Sequence, residues 1–545
     1  MASNIVLLGK VFTADAGHPY AGGVAVEGGR IAYVGDRAGA RELVGEGTKV
    51  VDAGEGLILP GFVDGHMHYS QAAYKDMFQA DLMSATTVAG YARIMSDFIA
   101  EHPHRSVYVG VGWDNAVFER EGARPDRSLL DAVCPDVPCA IRSYDAHSFL
   151  VNTAALEKAG IGNGYVSARV GEAVLDDDGN PTGLFREWAA DDVVGAILHP
   201  TRDEFERALD ALQGKLFSLG ITQIYEPVID DGDKVRPAYQ ALDLAGRLKL
   251  KVTSGFKCLP ELYGADQVEQ WALQRDVWEG RGRHYAMGND KFFMDGVVES
   301  RTGWLFDDYA DEPGYRGEPN CTLGEFETQA RAAAEAGLQI HIHAIGDAAL
   351  DMALSGLEYA RRFAVDADWR PTITHLQVVR PRDIERMARL GVIAPTDPAG
   401  TMRDPPYFKT RALPYLGAER ADRQYPLKSL WDAGVTVSTG TDFPVTDPNP
   451  MLGIEAGVTR SMPGDASGRT ALWPEEGVSV ERMLASYTVN GAYQNRREAT
   501  TGSIVVGKCA DIAVLDRDIT AIDPSAIHEA HCVLTLADGR VVHEA

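Results

Sequence analysis

Two different periods of hydrophobic and polar positions divide the chain. Its first fifty and last fifty residues alternate apolar and polar positions between glycine-containing turns, as in GGVAVEGGRIAYVGD (22–36) and GSIVVGKCADIAVLDRD (502–518). This period-two pattern is typical of β-strands. We therefore predict one small β-sandwich domain built from both termini. Residues 1–56 form its first part, and residues 481–545 hold a last helix and its second part.

The middle of the chain, residues 57–480, repeats short apolar runs separated by alanine- and charge-rich stretches with helical spacing. Such alternation of strands and helices implies parallel strands joined by right-handed crossovers. With GFVDGHMH (61–68) as the first strand, the runs predict an α/β fold, a (β/α)8 TIM-like barrel. The other seven predicted strands lie at 220–227, 249–256, 290–296, 338–347, 371–379, 391–398 and 434–445.

The interval between the first and second predicted barrel strands is about 150 residues, which is too long for a single crossover. We predict an inserted subdomain there, at about residues 72–205. Within it, EAVLDDDGNPTGLF (172–185) has the apolar flanks and central turn residues of a β-hairpin.

Charge and cysteine usage narrow the classes of partner and location. The 545 residues have a net charge of −27, which opposes binding to nucleic acid and to anionic membrane surfaces and favours a small-molecule substrate. The amino terminus lacks a secretory signal pattern, so we expect a cytoplasmic protein. Six scattered cysteines are typical of reduced thiols, although the spacing of Cys134 and Cys139 leaves a metal or disulfide pair as an alternative.

Candidate chemistry is concentrated at the ends of the predicted barrel strands. His66 and His68 follow the first apolar run, and because residues i and i+2 of a strand share a face, both side chains would project into the barrel mouth. Imidazoles there can bind a transition metal, whereas two hydrogen-bonded histidines are the alternative. The later strands add further candidates: Lys291 at the start of strand four, His341 and His343 on strand five, His375 on strand six and Asp442 on strand eight.

This ordered set resembles the amidohydrolase superfamily of metal-dependent hydrolases. The stretches LPGFVDGHMH, MDGVVESRTG, HAIGDAAL, THLQVV and TDFPV, together with the tail TGSIVVGKCADIAVLDRD, are similar to the subgroup that includes N-substituted formamide deformylases. The resemblance spans nearly the whole chain.

The resemblance implies a binuclear centre, with two zinc ions as the expected metals. His66, His68 and Asp442 would hold one ion, and His343 and His375 would hold the second. Lys291, carboxylated by carbon dioxide, would bridge the two. His341 shares a strand face with His343 and is a rival ligand, and Lys291 could instead be a surface or ion-paired lysine beside a mononuclear site.

The implied reaction is hydrolysis of a C–N bond in an amide, formamide, cyclic imide or carbamate, with Asp442 as general base and then general acid. A mononuclear deaminase on the same barrel is the alternative. It would be expected to carry a glutamate shortly after the strand-five histidine, where this chain has Gly346 and Asp347. A non-catalytic relative would have lost ligands, and none is missing from the sequence.

Substrate-facing candidates lie in the insertion and the late loops. Trp113, Asp145, His147 and Arg301 are the predicted substrate-binding residues. The chain departs from relatives at the second strand, with Glu226 after Tyr225, and at the seventh strand, with Asp397. These departures put the formamide substrate in doubt and leave the predicted metal ligands unchanged. Barrels of this kind commonly form homodimers, which is the expected assembly here.

Overall fold

The computed structural model describes residues 4–143, 148–167, 171–260, 264–401 and 407–545. The chain separates into two compact units, Met1–Tyr69 with Asp210–Ala545, and Ser70–Leu209. No helix in the described ranges is long and apolar enough to cross a membrane.

The prediction that both ends of the chain build one β structure is confirmed, and this structure is a single mixed sheet in the first unit. Its seven strands are β1 (Ile5–Phe12), β2 (Tyr20–Glu27), β3 (Arg30–Gly35), β4 (Lys49–Pro60), β19 (Ile512–Leu515), β20 (Cys532–Ala537) and β21 (Arg540–Glu544). They lie in the order β21-β20-β19-β4-β1-β2-β3, and only the β1–β4 pair is parallel. Alternate residues such as Ile5, Leu7, Val24 and Val26 pack into one apolar cluster, which explains the period-two pattern.

The same unit contains the predicted eight-stranded parallel barrel. Its strands are β5 (Phe62–Asp64), β12 (Ile221–Glu226), β13 (Lys251–Lys257), β14 (Tyr285–Phe293), β15 (Gln339–Ala344), β16 (Thr372–His375), β17 (Ile393–Thr396) and β18 (Thr436–Thr439). They are hydrogen-bonded in sequence order from β5 to β18. The Gly65 N–H donates to the Thr439 carbonyl at 2.8 Å, so first and last strands meet and the barrel is nearly closed.

Helices separate the barrel strands, and their ends follow local sequence signals. Thr322 and Glu325 form a reciprocal capping box at the start of the helix Leu323–Glu335. Gly337, with a left-handed φ of +68°, follows the end of this helix. The α-helices of the first unit are Arg37–Glu42, Gly232–Leu244, Asp266–Trp278, Leu323–Glu335, Asp347–Ala360, Pro381–Leu390, Leu413–Asp422, Leu427–Asp432, Pro450–Thr459, Val480–Ala485 and Gly491–Gln494. Short 3-10 or π segments lie at Val298–Ser300, Arg361–Phe363, Ala399–Thr401, Phe408–Ala412, Pro474–Glu476, Ser486–Asn490 and Pro524–Glu529.

The second unit corresponds to the long interval between barrel strands β5 and β12. Its sheet has the order β10-β11-β9-β8-β7-β6, and β10 with β11 forms the predicted hairpin. The strands are β6 (Ala80–Asp81), β7 (Tyr108–Trp113), β8 (Cys139–Ser143), β9 (Ser148–Val151), β10 (Glu172–Leu175) and β11 (Pro181–Arg186). Its helices are Val88–Glu101, Asn115–Arg120, Ser128–Asp131, Thr153–Ala159, Glu187–Ala190 and Asp191–Ile197, with Tyr69–Phe78 and Arg202–Ser218 at its ends.

Strand β14 begins earlier than the sequence predicted. The apolar run that starts at Lys291 is only the end of a strand that begins at Tyr285, because Gly288, Asn289 and Asp290 break the apolar pattern without ending the strand. Lys291 therefore lies near the carboxyl end of β14, and its predicted place at a strand start is wrong.

Candidate metal centre

His66 and His68 are held in place by backbone hydrogen bonds on both sides. They follow β5 rather than belong to it, which differs from the prediction that strand geometry alone would align them. The Met67 N–H donates to the Tyr225 carbonyl at 3.0 Å, and the His68 N–H donates to the Phe443 carbonyl at 2.7 Å. The segment is thus fixed between the first and last barrel strands and β12, with imidazole centroids 5.6 Å apart.

Asp442 is carried by a turn after β18 that packs directly on His66. Its N–H donates to the His66 carbonyl at 2.7 Å, and its backbone has the left-handed φ of +53°. A side chain at Gly440 would place its Cβ 2.5 Å from the His66 nitrogen, so this close approach requires glycine. A left-handed backbone at a non-glycine residue is costly and occurs preferentially at functional sites.

Asp64 stabilises the same turn, and its role was not predicted from the sequence. Its carboxylate accepts a hydrogen bond from the Thr441 hydroxyl at 2.6 Å and from the His66 N–H at 3.0 Å. Burial raises the pKa of Asp64 to about 7. The signal available in the sequence was an aspartate inside an apolar strand end, VDGHMH, which is unusual unless the carboxylate has fixed partners.

Ligand atoms of His66, His68 and Asp442 all lie within 4.8 Å of one another, which makes them a candidate metal site within the described part of the chain. Asp442 Oδ1 is 3.4 Å from His66 Nε2 and 3.1 Å from His68 Nε2. Both His66 Nε2 and Asp442 Oδ1 are buried without a well-formed hydrogen bond to any described residue. Buried polar atoms normally have partners, so a neutral-imidazole and carboxylate set left unsatisfied fits a bound divalent ion.

The electrostatics favour this ligand chemistry. Burial and the nearby Lys291 lower the pKa of His66 to about 3, so its imidazole is neutral near neutral pH. Burial opposes ionisation of Asp442, but contacts with His66 and His68 hold its pKa well below the usual range. The site therefore presents a neutral His66 nitrogen and an anionic Asp442 oxygen, the forms that a transition metal binds.

Lys291 is buried in the barrel, with 1% of its surface exposed. Its Nζ has no hydrogen-bond or carboxylate partner among the described residues and lies 5.1 Å from the Phe293 ring centroid. Burial lowers its pKa to about 7, against a weaker opposing effect of Asp442. This environment excludes the surface or ion-paired lysine that the sequence left open.

His343 and His375 form a second imidazole pair, with ring centroids 4.4 Å apart. His343 Nε2 lies 3.0 Å from the Gly296 carbonyl and 3.7 Å from Asp295 Oδ1, and burial lowers its pKa to about 4. His375 has a left-handed φ of +74° at the end of β16. Its ring centroid lies 5.3 Å from that of His66, so the two pairs are neighbours.

His341 lies deeper in the barrel than its rival His343. Its Nε2 is 3.1 Å from His66 Nδ1, on the side of the His66 ring opposite the nitrogen that faces Asp442. It pairs with Lys291 in the β14–β15 ladder, whereas His343 pairs with Phe293. His341 is therefore placed behind His66 rather than among the ligand atoms around Asp442.

Among the predicted substrate-binding residues, Trp113 belongs to the second unit and Arg301 to the first, and Asp145 and His147 lie outside the described residues. Trp113 is buried in the apolar core of the second unit, where its indole N–H donates to the Ile141 carbonyl at 3.0 Å. Arg301 pairs with Asp311, and its guanidinium lies 4.1 Å from the Tyr415 ring centroid. A structural role explains these contacts of Trp113 and Arg301 as well as a substrate-binding role does.

Asp397 lines a small cavity in the first unit together with His375, Thr396, Tyr425 and Arg460. Its carboxylate accepts hydrogen bonds from the Gly400 N–H and the Thr446 hydroxyl, both at 3.2 Å. Burial and the neighbouring Asp442 raise its pKa well above the usual value. The extra carboxylate predicted from the sequence thus adjoins one of the site histidines.

A parallel barrel with histidines and an aspartate gathered at its strand ends defines a metal-dependent hydrolase of the amidohydrolase superfamily. The Amidohydrolase family matches residues 49–543, and the chain belongs to this family. It is 28% identical to the putative amidohydrolase YtcJ of Bacillus subtilis, over 96% of both chains. It is 27% identical to the N-substituted formamide deformylase of Arthrobacter pascens, over 100% of this chain and 99% of that one.

The fold is also similar to that of a solved structure. An uncharacterized metal-dependent hydrolase from Pyrococcus horikoshii superposes with a TM-score of 0.78 at 24% identity, over 95% of this chain and 99% of the other. This likeness supports the barrel and the mixed terminal sheet described above.

Proposed function

We propose that this protein hydrolyses a C–N bond in a small molecule at the site formed by His66, His68 and Asp442. The observation that carries the proposal is the convergence of three ligand atoms within 4.8 Å, two of which are buried without a well-formed hydrogen bond to any described residue. Membership of the amidohydrolase family supports it. A surface loop or a purely structural histidine pair would not explain why these two buried atoms lack hydrogen bonds to described residues.

His66, His68 and Asp442 would hold one divalent ion, and His343 and His375 a second, with zinc as the expected metal for this donor set. When bound, such ions lower the pKa of water and polarise the carbonyl group under attack. Lys291 would bridge them after carboxylation. Its neutral Nζ would attack carbon dioxide, so that an N–C bond forms while one C=O π bond opens, and the released N–H proton would pass to water, which leaves an anionic carbamate. A pKa of about 7 supplies the required neutral amine.

Asp442 would move the proton during the reaction. Its side chain is 20% exposed, so solvent reaches it, and its Oδ1 faces the two imidazoles. The carboxylate can accept a proton from the attacking water and return it to the departing nitrogen, because its low pKa keeps it ionised before attack. Asp64 and Thr441 would keep the carboxylate aimed by fixing the turn that carries it.

The substrate class we favour is an amide, formamide, cyclic imide or carbamate. Likeness to the Arthrobacter pascens formamide deformylase over the whole chain supports an acyl–nitrogen substrate. Asp397, which lines the same cavity as His375, supports selection of a substrate with a hydrogen-bond acceptor near the scissile bond, because burial favours the neutral acid, which can donate a hydrogen bond.

Metal analysis combined with a substrate panel tests the proposal. Metal-loaded protein would be assayed against formamides, simple amides, cyclic imides and carbamates, with amino-heterocycles as the deaminase comparison. We expect carboxylate or formate release that stops after chelation and returns on adding zinc. Ammonia release from amino-heterocycles alone, or turnover that survives complete chelation, would contradict the proposal.

A further inference from the structure

We propose that His341 is a positioning residue that fixes the tautomer of His66, an inference that rests on the proposed metal-dependent function. The two ring nitrogens of His66 face different partners, Asp442 and His341. Its Nε2 lies 3.4 Å from Asp442 Oδ1, on the side of the candidate metal site. Its Nδ1 lies 3.1 Å from His341 Nε2, on the opposite side.

The direction of the hydrogen bond between the two rings decides whether His66 can bind a metal. A neutral imidazole carries one proton, and only the unprotonated nitrogen has a lone pair for a ligand bond. If His66 Nδ1–H donates to His341 Nε2, then His66 Nε2 is free to bind. If His341 Nε2–H donates instead, the proton of neutral His66 occupies Nε2 and blocks binding. Metal binding therefore requires His341 to accept.

The surroundings of His341 hold its ring in this role. The residue is fully buried, and its ring lies parallel to that of Tyr225, with centroids 5.2 Å apart and an interplanar angle of 22°. Its Nδ1 is buried without a hydrogen-bond partner among the described residues. When Nε2 accepts from His66, the proton of His341 must occupy this unpartnered Nδ1. Such an unsatisfied group is unusual unless the ring serves a purpose elsewhere.

This arrangement also separates positioning from direct ligation. The nitrogen of His341 that faces the site is already opposite His66 Nδ1, whereas the candidate metal lies beyond His66 Nε2. Partners of this kind fix the orientation of a metal ligand and typically change metal affinity by about 10- to 100-fold when removed. Loss of the acceptor should therefore weaken binding without removing a ligand.

The zinc affinity of the 545-residue apoprotein, measured by competition with a chromophoric chelator, tests the inference. His341→Leu removes the acceptor, and we expect the site affinity to fall about 10- to 100-fold with an unchanged number of bound ions. His341→Gln places an amide oxygen near the former Nε2 and should restore most of the affinity. Tyr225→Phe is the matched control, because it removes a buried hydroxyl that has no partner among the described residues and should leave affinity within about twofold.

Three results would overturn the inference. They are unchanged affinity in His341→Leu, equal loss in the Leu and Gln variants, and loss of one whole metal equivalent, which would make His341 a ligand. Thermal melting of each apoprotein shows whether it is folded, and His341→Phe is the second acceptor-free variant should the Leu variant not fold. Wild-type protein that binds no zinc would refute the proposed function instead, so the two failures are distinguishable.

Discussion

Two buried lysines in neighbouring barrel strands have opposite environments. Lys251, at the start of β13, is 4% exposed, and its Nζ lies 2.9 Å from Asp511 and 3.0 Å from Asp538 of the terminal sheet. Burial alone would lower its pKa, but these carboxylates raise it above the ordinary value. Lys291, near the end of β14, is also buried but has no carboxylate partner in the described part of the chain, and burial lowers its pKa to about 7.

The difference indicates that Lys251 stabilises the fold, whereas Lys291 can react as a neutral amine. Lys251 joins the barrel to the terminal sheet through a paired charge, and His284 also contacts Asp538 at 2.7 Å. An unpaired buried ammonium is expensive, so Lys291 is readily neutral. Perturbed groups without structural partners are the ones expected at functional sites.

The largest effect should come from Asp442, whose carboxylate is also the charge that acts on Lys291. Asp442→Asn keeps the shape of the side chain but removes the proton acceptor and an anionic ligand oxygen. We expect kcat to fall on the order of 10³-fold or more. Steady-state kinetics with the best substrate of the panel measures this. A variant that retains a tenth of wild-type kcat would rule out the proton-transfer role of Asp442.

Removing Lys251 should cost stability rather than activity. Lys251→Met leaves two buried carboxylates short of a cation, and loss of one partner of a buried pair costs about 3–5 kcal/mol. Because its folded pKa is raised, the stabilisation is present below the unfolded-state lysine value of about 10.4 and is lost as pH rises through the folded value.

Denaturant unfolding of wild type and Lys251→Met near neutral pH measures this difference. The per-site kcat of the folded variant should stay near that of wild type. A variant as stable as wild type would show that the paired lysine is not what joins the barrel to the terminal sheet.

Removing Lys291, in contrast to Lys251, should lower activity rather than stability. Lys291→Met deletes the predicted bridge, and we expect activity to fall by at least about 100-fold, with weaker retention of the second ion. Stability of the apoprotein should change little or rise, because a buried amine without partners is replaced by an apolar side chain. Kinetics, metal content and apoprotein melting are the measurements. Short carboxylates added to Lys291→Ala should restore part of the activity, whereas full activity without them would refute the bridge.

A smaller effect follows from the pKa of Lys291. Below about pH 7 its amine is mostly protonated and cannot react with carbon dioxide, and above it the amine is mostly neutral. At fixed dissolved carbon dioxide, metal-free protein should therefore carboxylate about tenfold faster at about pH 8 than at about pH 6. Incorporation of ¹³C-labelled carbon dioxide, followed by NMR with Lys291→Met as the control, measures the rate. An equal signal in that variant would place the carbamate elsewhere.

Much of the fold was predictable because periodicity reports which faces are buried. The eight barrel strands and the hairpin β10–β11 were confirmed by their pairing. The predicted start of β14 was wrong because Gly288, Asn289 and Asp290, which are small or polar, interrupt the apolar pattern inside the strand. Periodicity carries no information about interior polar positions whose contacts are made with distant parts of the chain, such as the hydrogen bond that the Asn289 side-chain N–H donates to the Pro227 carbonyl.

The candidate site was less completely predictable. The pattern placed His66, His68 and Asp442 at strand ends, which meet at one rim of a parallel barrel, and the resemblance to the amidohydrolase superfamily implied that the three share one ion. The pattern could not distinguish His341 from His343, because two residues on one strand face differ in depth and in which ring nitrogen faces a partner. It also missed Asp64, whose role depends on the Thr441 turn, more than three hundred residues away in sequence.

Anomalous X-ray diffraction at the zinc edge, on crystals of the metal-loaded protein, tests the central claim most directly. We predict a strong anomalous peak within ligand distance of His66, His68 and Asp442, and a second peak beside His343, His375 and Lys291. The absence of any peak among His66, His68 and Asp442 in fully loaded, active protein would contradict the proposed centre.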